Sequence, residues 1–398
     1  MLIELALALI LAKIMDEVFM RKNQPAVIGE ILVGILFSAI AFLLPQNLIV
    51  GDYTFPINFD IEHPAFDFFA ETGILLLLFL SGMETNFSDL KRAGKSGLLT
   101  GALGVLLTFF LVFLFIHFIL EFTLQQSIVF ATIFTATSVG VTVRTMMDLG
   151  ILNTRVGNTI LTAAVADDIF GIILVTVVLG SGEIIEIIIG MVIFFIGIYL
   201  VYKFKLMDKI LGYTDRSLHG RYAIISIAMG FMFLFAFFAD LANIATITGA
   251  FFVGLFIGQS REERKIIEPM KMIAYSLFIP IFFVKVGTLV DFNHLPSFEI
   301  LFLAVIPIVF IGKILGCFLG SRMTGLTSKE SLRVGVGMVP EMEVALVIAT
   351  LAYASGIFGE ALGTQIITLT ILYVIISSIT VPIMLKKMYG ERKHASFS

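Results

Sequence analysis

The sequence predicts an all-α polytopic membrane protein with about 13 transmembrane helices, built as two inverted six-helix repeats joined by a linker helix, with an interrupted crossing helix in each half. Three observations lead there. Of 398 residues, 59% are hydrophobic and only 14% charged, and the mean hydropathy of +1.04 lies well outside the range of ordinary soluble domains. Cutting the chain at polar and Pro/Gly breaks leaves about 13 apolar runs of spanning length. The Lys and Arg residues then fall almost entirely in alternate connections, as the positive-inside rule requires.

The runs lie near 2–20, 26–44, 65–83, 97–120, 125–147, 157–180, 184–202, 220–241, 243–258, 270–290, 299–321, 331–355 and 361–385. The first lacks a basic leader and an obvious small-residue cleavage site, so it is expected to be a retained helix, not a signal peptide. All the runs are continuous, without the period-two alternation of barrel strands, which argues against a β-barrel. Odd-numbered loops with their flanks, and the tail, hold 22 of the 26 Lys and Arg residues. The even loops hold none, and Lys13, Arg144, Lys285 and Lys313 fall inside spans. An error of one helix would scramble this pattern. It places a multi-pass chain in the cell (plasma or inner) membrane, N-terminus outside and C-terminus cytoplasmic. No long basic tract suggests nucleic acid as a partner. Cys317 is the single cysteine, which excludes an intrachain disulfide, and Trp is absent.

Thirteen crossings divide as six, one and six, so the two halves have opposite topology and the seventh run, 184–202, bridges them. The fifth and twelfth runs are then equivalent, and both suit a regular helix poorly. The fifth carries Thr132, Thr135, Thr137, Ser138, Gly140 and Thr142 around its midpoint; the twelfth carries Gly335, Gly337 and Pro340 just before Glu341 and Glu343. Gly and Pro weaken helical backbone, and hydroxyls can replace its lost hydrogen bonds. Matched interruptions are the best sequence pointer to a transport site.

Each ionisable residue at mid-membrane costs roughly 2.5–3.5 kcal/mol on insertion scales. Asp167 and Asp168 stand together at the centre of the sixth run. Adjacent helical residues project about 100° apart, so one carboxylate is expected to face an ion cavity and the other a neighbouring helix. Lys313, mid-way along the eleventh run, is the cation at comparable depth for that second carboxylate. A carboxylate for which protons and hard cations compete gives exchange, because loading one species requires release of the other. Glu341, Glu343 and Lys285 are further candidates, with Lys285 expected to offset Glu341. Glu30, Glu71, Glu84, Arg144 and Asp148 are expected at solvated helix ends, and Lys13 and Asp240 at interfacial or structural positions. No His/Cys cluster, Walker, Rossmann or triad pattern is present, so no cofactor is expected and the chain is not expected to be an enzyme.

At these residues the sequence resembles the cation:proton antiporter-2 family, specifically NapA-type sodium/proton antiporters. The matching stretches are PAVIGEILVGIL, FLSGMET, ATSVGVTVRTMMDLGIL, ILTAAVADDIFG, IGKILGC and GMVPEMEVALVIA, spread over nearly the whole chain. The resemblance implies an NhaA/NapA-like fold and Na+ or Li+ exchange for H+ by alternating access. Asp168 would be the main cation and proton carboxylate, Asp167 would pair with Lys313 in a pH-sensitive ion pair, and Thr137 and Ser138 would help line the site. It also implies an elevator-like homodimer. Helices 1–3 (1–90) and 8–10 (206–296) would form its scaffold, helices 4–6 (91–182) and 11–13 (297–388) its core, 183–205 the linker, and 389–398 a cytoplasmic tail. In two places the chain departs from the family pattern. Glu341-Met342-Glu343 stands where the family often has Arg-Gly-Glu, and Lys285 stands where a small or neutral residue is usual. The alternatives are a Kef-type K+/H+ antiporter, against which the Asp-Asp pair argues, and an organic-anion/sodium symporter on the same fold. An intramembrane aspartyl protease would need its two carboxylates to converge from separate helices, whereas these are neighbours on one.

Overall fold

The computed structural model describes residues 2–22, 24–43, 47–50, 53–56, 64–179, 184–217, 222–290, 292, 298–354 and 356–390. The 180–183 junction, Arg221 and the tail beyond Gly390 lie outside them. The helices run in order as α1 (Leu2–Arg21), α2 (Ala26–Leu43), α3 (Pro64–Glu84), α4 (Phe87–Phe118), α5 (Leu124–Ile133), α6 (Gly140–Asp148), α7 (Arg155–Leu179), α8 (Ile184–Lys203) and α9 (Leu206–Ser217). They continue as α10 (Ala223–Leu241), α11 (Thr246–Ile257), α12 (Glu263–Ile273), α13 (Ile279–Thr288), α14 (Val305–Met323), α15 (Ser328–Gly337), α16 (Glu343–Ala354) and α17 (Gly359–Tyr389). Among the described residues, nine helices are long and apolar enough to cross a membrane, the continuous α12–α13 run counting as one. Three shorter apolar helices correspond to α5, α11 and most of α16.

Local chemistry sets the element ends. The Asn86 side chain accepts the Ser88 N–H at 3.0 Å and starts α4 ten residues before the apolar run begins, drawing Lys91, Arg92 and Lys95 into the helix. Thr123 with Gln126 and Thr327 with Glu330 form reciprocal capping boxes at the starts of α5 and α15. At the second of these, N–H and O–H donation from Thr327 holds the Glu330 carboxyl below its ordinary range. Between α12 and α13, residues 274–278 form a π turn flanked by Pro269 and Pro280, each of which lacks a backbone donor.

Two elements have no counterpart among the apolar runs. Strands β1 (Asn47–Val50) and β2 (Tyr53–Pro56) pair antiparallel, with Val50 opposite Tyr53. Their alternating β-branched and aromatic residues flank Gly51-Asp52, a two-residue hairpin signal. Helix α9 buries Met207, Leu211 and Thr214 and carries charges elsewhere on its surface. It is tied to the start of α12 by Lys265–Asp215 at 2.7 Å, and the Arg261 N–H donates to Asp208 at 3.2 Å.

The helices pack as two sets. In one, α4, α7 and α14 are the tightest trio and α5, α15, α16 and α17 complete it; in the other, α1, α2, α3 and α10 to α13 associate. Between helices in lipid there is no apolar-burial drive, so close backbone approach through small residues takes its place. Gly312, Gly316 and Gly320 recur every fourth residue along α14 and meet Thr108, Leu103 and Leu99–Thr100 of α4. In the second set, the α2–α13 and α11–α3 seams are built alike. A Cβ at Gly34 would overlap the Val284 carbonyl and one at Gly287 the Ile31 carbonyl; a Cβ at Gly254 would overlap the Phe79 carbonyl and one at Gly82 the Phe251 carbonyl. The sequences match in register, with Gly29, Val33 and Gly34 recurring as Gly249, Val253 and Gly254.

Candidate functional site

The fifth and twelfth runs are both broken, at 134–139 between α5 and α6 and at 338–342 between α15 and α16. The two breaks satisfy one another. The Ser138 N–H donates to the Pro340 carbonyl at 2.9 Å, the Thr142 hydroxyl to the Gly337 carbonyl at 2.7 Å, and the Thr137 hydroxyl to the Met338 carbonyl at 3.4 Å. Tyr373 of α17, fully buried, donates to the Val339 carbonyl at 2.8 Å. Carbonyls freed by Pro340 and by the end of α15 are thus capped by the hydroxyl-rich link opposite, as backbone away from water demands.

Lys313 reaches this crossing from α14. Its ammonium donates to the Thr135 carbonyl and, at 2.5 Å, to the Thr137 hydroxyl, and lies 3.7 Å from Asp167 Oδ1 on α7. Lys313 is 0% exposed and Asp167 1%. A cation beside the last carbonyls of α5 also complements the negative end of that helix. The pairing of Lys313 with one of the two adjacent acids, expected from depth, is present in the geometry, and the acid is Asp167, as the resemblance implied. The glycine face that brings α14 against α4 includes Gly312, next to Lys313, which explains how a long cationic side chain is held at this depth.

Asp168, its neighbour, reaches α11. It is partly exposed, and its Oδ2 accepts a hydrogen bond from the Thr248 hydroxyl of α11 at 3.0 Å. The two adjacent carboxylates thus face different surroundings, one toward α14 within its own set and one across the seam toward the other set. Thr248 carries no signal in the sequence, because Thr246 and Thr248 at the start of an otherwise apolar helix form no motif.

Glu341, at the entry to α16, is buried, and the Lys313 and Asp167 charges act on it. Both its carboxylate oxygens, both of Asp167 and the Ser138 hydroxyl are buried without a hydrogen-bond partner among the described residues. The donor set around the crossing is therefore oxygen only: carboxylate, hydroxyl and backbone carbonyl. Such a set suits a hard cation and offers nothing to soft or borderline metals. The Glu343 side chain lies outside the described residues.

Lys285 requires a correction. Its ammonium pairs with Asp67 Oδ1 of α3 at 2.7 Å, not with Glu341. The helix positions explain this: Lys285 stands in the last turn of α13, beside the first turn of α3, where Asp67 lies. The charges near span ends divide. Glu71 and Asp240 are exposed, and Glu84 pairs with Lys271 at 2.8 Å. Glu30, however, is fully buried on α2, with Lys13 3.7 Å away, and Arg144 is buried beside Asp148 at 3.2 Å with its guanidinium 4.4 Å above the Tyr275 ring. Helices α1, α2, α6 and the π turn converge there, so charges near span ends are enclosed by protein.

Comparison with known proteins now bears on this arrangement. Residues 6–387 match the family described as "Sodium/hydrogen exchanger, transmembrane". The chain is 31% identical over 400 residues to the Na(+)/H(+)-K(+) antiporter GerN of Bacillus cereus, covering 98% of this chain and 97% of that one. It is 32% identical over 394 residues to the probable Na(+)/H(+) antiporter GerT of the same organism, covering 97% and 98%. In three dimensions it is similar to the sodium proton antiporter MjNhaP1 from Methanocaldococcus jannaschii, with a TM-score of 0.63, 17% identity, and coverage of 96% and 94%.

Proposed function

The chain belongs to the sodium/hydrogen exchanger family, and from that premise we propose that it exchanges Na+ for H+ across a membrane, with Asp168 as the carboxylate for which the two compete. The family assignment is broader than the NapA-type, cation:proton antiporter-2 label suggested by the motifs, and that finer label is withdrawn. The observation that carries the reading is the division of labour between two adjacent acids. Asp167 is neutralised in place by Lys313, while Asp168 remains outside that pair and partly exposed. One carboxylate is thereby committed to an ion pair, and the other, held by a hydroxyl of the second helix set, is the one that takes substrate.

Exchange follows from this charge balance. A charged carboxylate at membrane depth is costly, and either a proton or a monovalent cation relieves that cost. A carrier that crosses readily only when Asp168 is loaded must carry one species out and the other back. Ser138 and Thr137 supply hydroxyl oxygens on the broken crossing, and dehydrating a cation is repaid by such a set. Li+ shares this chemistry. K+ is the alternative substrate; GerN carries it in its name, and Glu341 alters the charge of the crossing. The organic-anion symporter has no observation in its favour.

The matched α2–α13 and α11–α3 seams support an inverted repeat of six helices about a linker α8, hence about 13 crossings once α1, the two broken helices and α11 are added to the nine long apolar ones. On that plan α4–α7 with α14–α17 form the moving core, and α1–α3 with α10–α13 the scaffold of an elevator-like homodimer. The N-terminus is outside and the C-terminus cytoplasmic, in the cell membrane. The test is a proteoliposome with an imposed pH gradient and a lumenal pH dye. Addition of Na+ or Li+ is expected to dissipate the gradient rapidly and K+ to do so weakly. No response to any cation, from a folded protein, overturns the reading.

A further inference from the structure

The Thr248 hydroxyl reaches Asp168 from the other helix set. It donates to Asp168 Oδ2 at 3.0 Å and is itself 3% exposed. Its helix, α11, is fastened backbone to backbone within the second helix set: a Cβ at Gly249 would overlap the Phe235 carbonyl of α10, and Gly254 and Gly258 meet α3 in the same way. Asp168 stands on α7, fastened to α4 by contacts of Gly97 with Thr162 and of Gly101 with the Ala163 carbonyl. The 3.0 Å bond therefore joins the two helix sets through side chains. Sliding α7 past α11 must break it.

Position in the repeat adds an independent point. In the register that aligns Gly249 with Gly29 and Gly254 with Gly34, Thr248 corresponds to Ile28, an apolar buried residue. The hydroxyl is thus not a requirement of the seam, which is built equally well with a hydrocarbon there. It occurs only where a carboxylate lies across from it.

We propose that Thr248 is a positioning residue that holds the empty carrier to the second helix set and is displaced from Asp168 when substrate loads. This deepens, and rests on, the exchange reading above. A hydroxyl bonded to a full negative charge is worth more than one bonded to a neutral group. Cation or proton binding at the carboxylate removes that advantage and frees the core to move. The bond thereby penalises the one movement that exchange must forbid, return of the unloaded carrier.

The test compares wild type with Thr248→Val, which keeps the shape and removes the donor, and Thr248→Ser, which keeps the donor and removes a methyl group. In proteoliposomes at about pH 8.5 on both faces with a lumenal pH dye, the part of net 22Na+ efflux into cation-free buffer that proton uptake does not match measures empty return. Efflux into Na+ buffer measures loaded exchange. The ratio of the first to the second is expected to rise about tenfold in Thr248→Val, the scale of one charge-assisted hydrogen bond, and to stay near wild type in Thr248→Ser. Loss of a competing donor also predicts a lower KM for Na+ in Thr248→Val only. An unchanged ratio in Thr248→Val, or equal changes in Val and Ser, overturns the proposal while leaving exchange intact. A wild type that moves 22Na+ in neither buffer overturns both.

Discussion

Replacing Lys313 by Met removes the positive charge at the crossing while keeping its length. The ammonium lies 3.7 Å from Asp167, and at an effective dielectric of about 20 that attraction amounts to roughly 4 kcal/mol. Loss of the bond to the Thr135 carbonyl strands an acceptor, adding about 1–3 kcal/mol, and the apolar methionine recovers part of this through packing. The net expectation is the 3–5 kcal/mol typical of breaking one side of a buried pair. Adding Asp167→Asn to Lys313→Met removes the stranded charge, so the double variant is expected to be more stable than Lys313→Met by about 2 kcal/mol, with a coupling energy of about 2–3 kcal/mol. Trp is absent, so unfolding in SDS is best followed by far-ultraviolet circular dichroism. Strict additivity of the two single changes would show that the pair is incidental and that the division between Asp167 and Asp168 has no energetic basis.

Three further expectations concern parts around the site. Glu330 closes the capping box of α15 and its folded pKa is depressed, chiefly by the Thr327 backbone N–H; its contribution is complete above the ordinary value of 4.5 and is lost as pH falls through the lower folded value. Glu330→Ala is therefore expected to cost roughly 0.5–2 kcal/mol near neutral pH and progressively less below about pH 4.5, as seen in unfolding titrations. Gly316→Ala drives a methyl group into the Leu103 carbonyl of α4, where backbone cannot yield, and is expected to cost about 1–3 kcal/mol with a matching fall in folded yield on size-exclusion chromatography. Lys285→Met breaks a partly exposed pair with Asp67 and is expected to cost under about 1 kcal/mol; combined with Glu341→Gln it is expected to be additive in stability and transport.

What could be read from the chain divides along a physical line. Long apolar runs, the broken fifth and twelfth segments, and the depth match of Lys313 with the Asp167-Asp168 pair all follow from the membrane's intolerance of unpaired polar groups, which acts on each segment by itself. Partnerships that depend on how helices rotate against one another do not. Lys285 and Asp67 are 218 positions apart and pair because α13 and α3 share a seam. Glu30 and Arg144 stand near span ends but are enclosed, because the ends of α1, α2 and α6 meet. Thr248 carries no signal until α11 is placed opposite α7. The hairpin at 47–56 and the amphipathic α9 are too short and too polar to show among apolar runs, although Gly-Asp between β-formers marks the first. The matched seams were legible in the Gly and Val spacing of α2 and α11, once the two were compared in register.

The central claim is that Na+ and H+ compete for Asp168, and it can be tested without a membrane. Purified protein in detergent, in a lightly buffered solution near neutral pH, is mixed with NaCl or with choline chloride at equal ionic strength while a pH dye is recorded. The account predicts proton release on adding Na+, saturating with Na+ concentration, absent with choline, and abolished in Asp168→Asn but retained in Thr248→Ser. Proton release of undiminished size from folded Asp168→Asn would place the competition elsewhere and contradict the assignment.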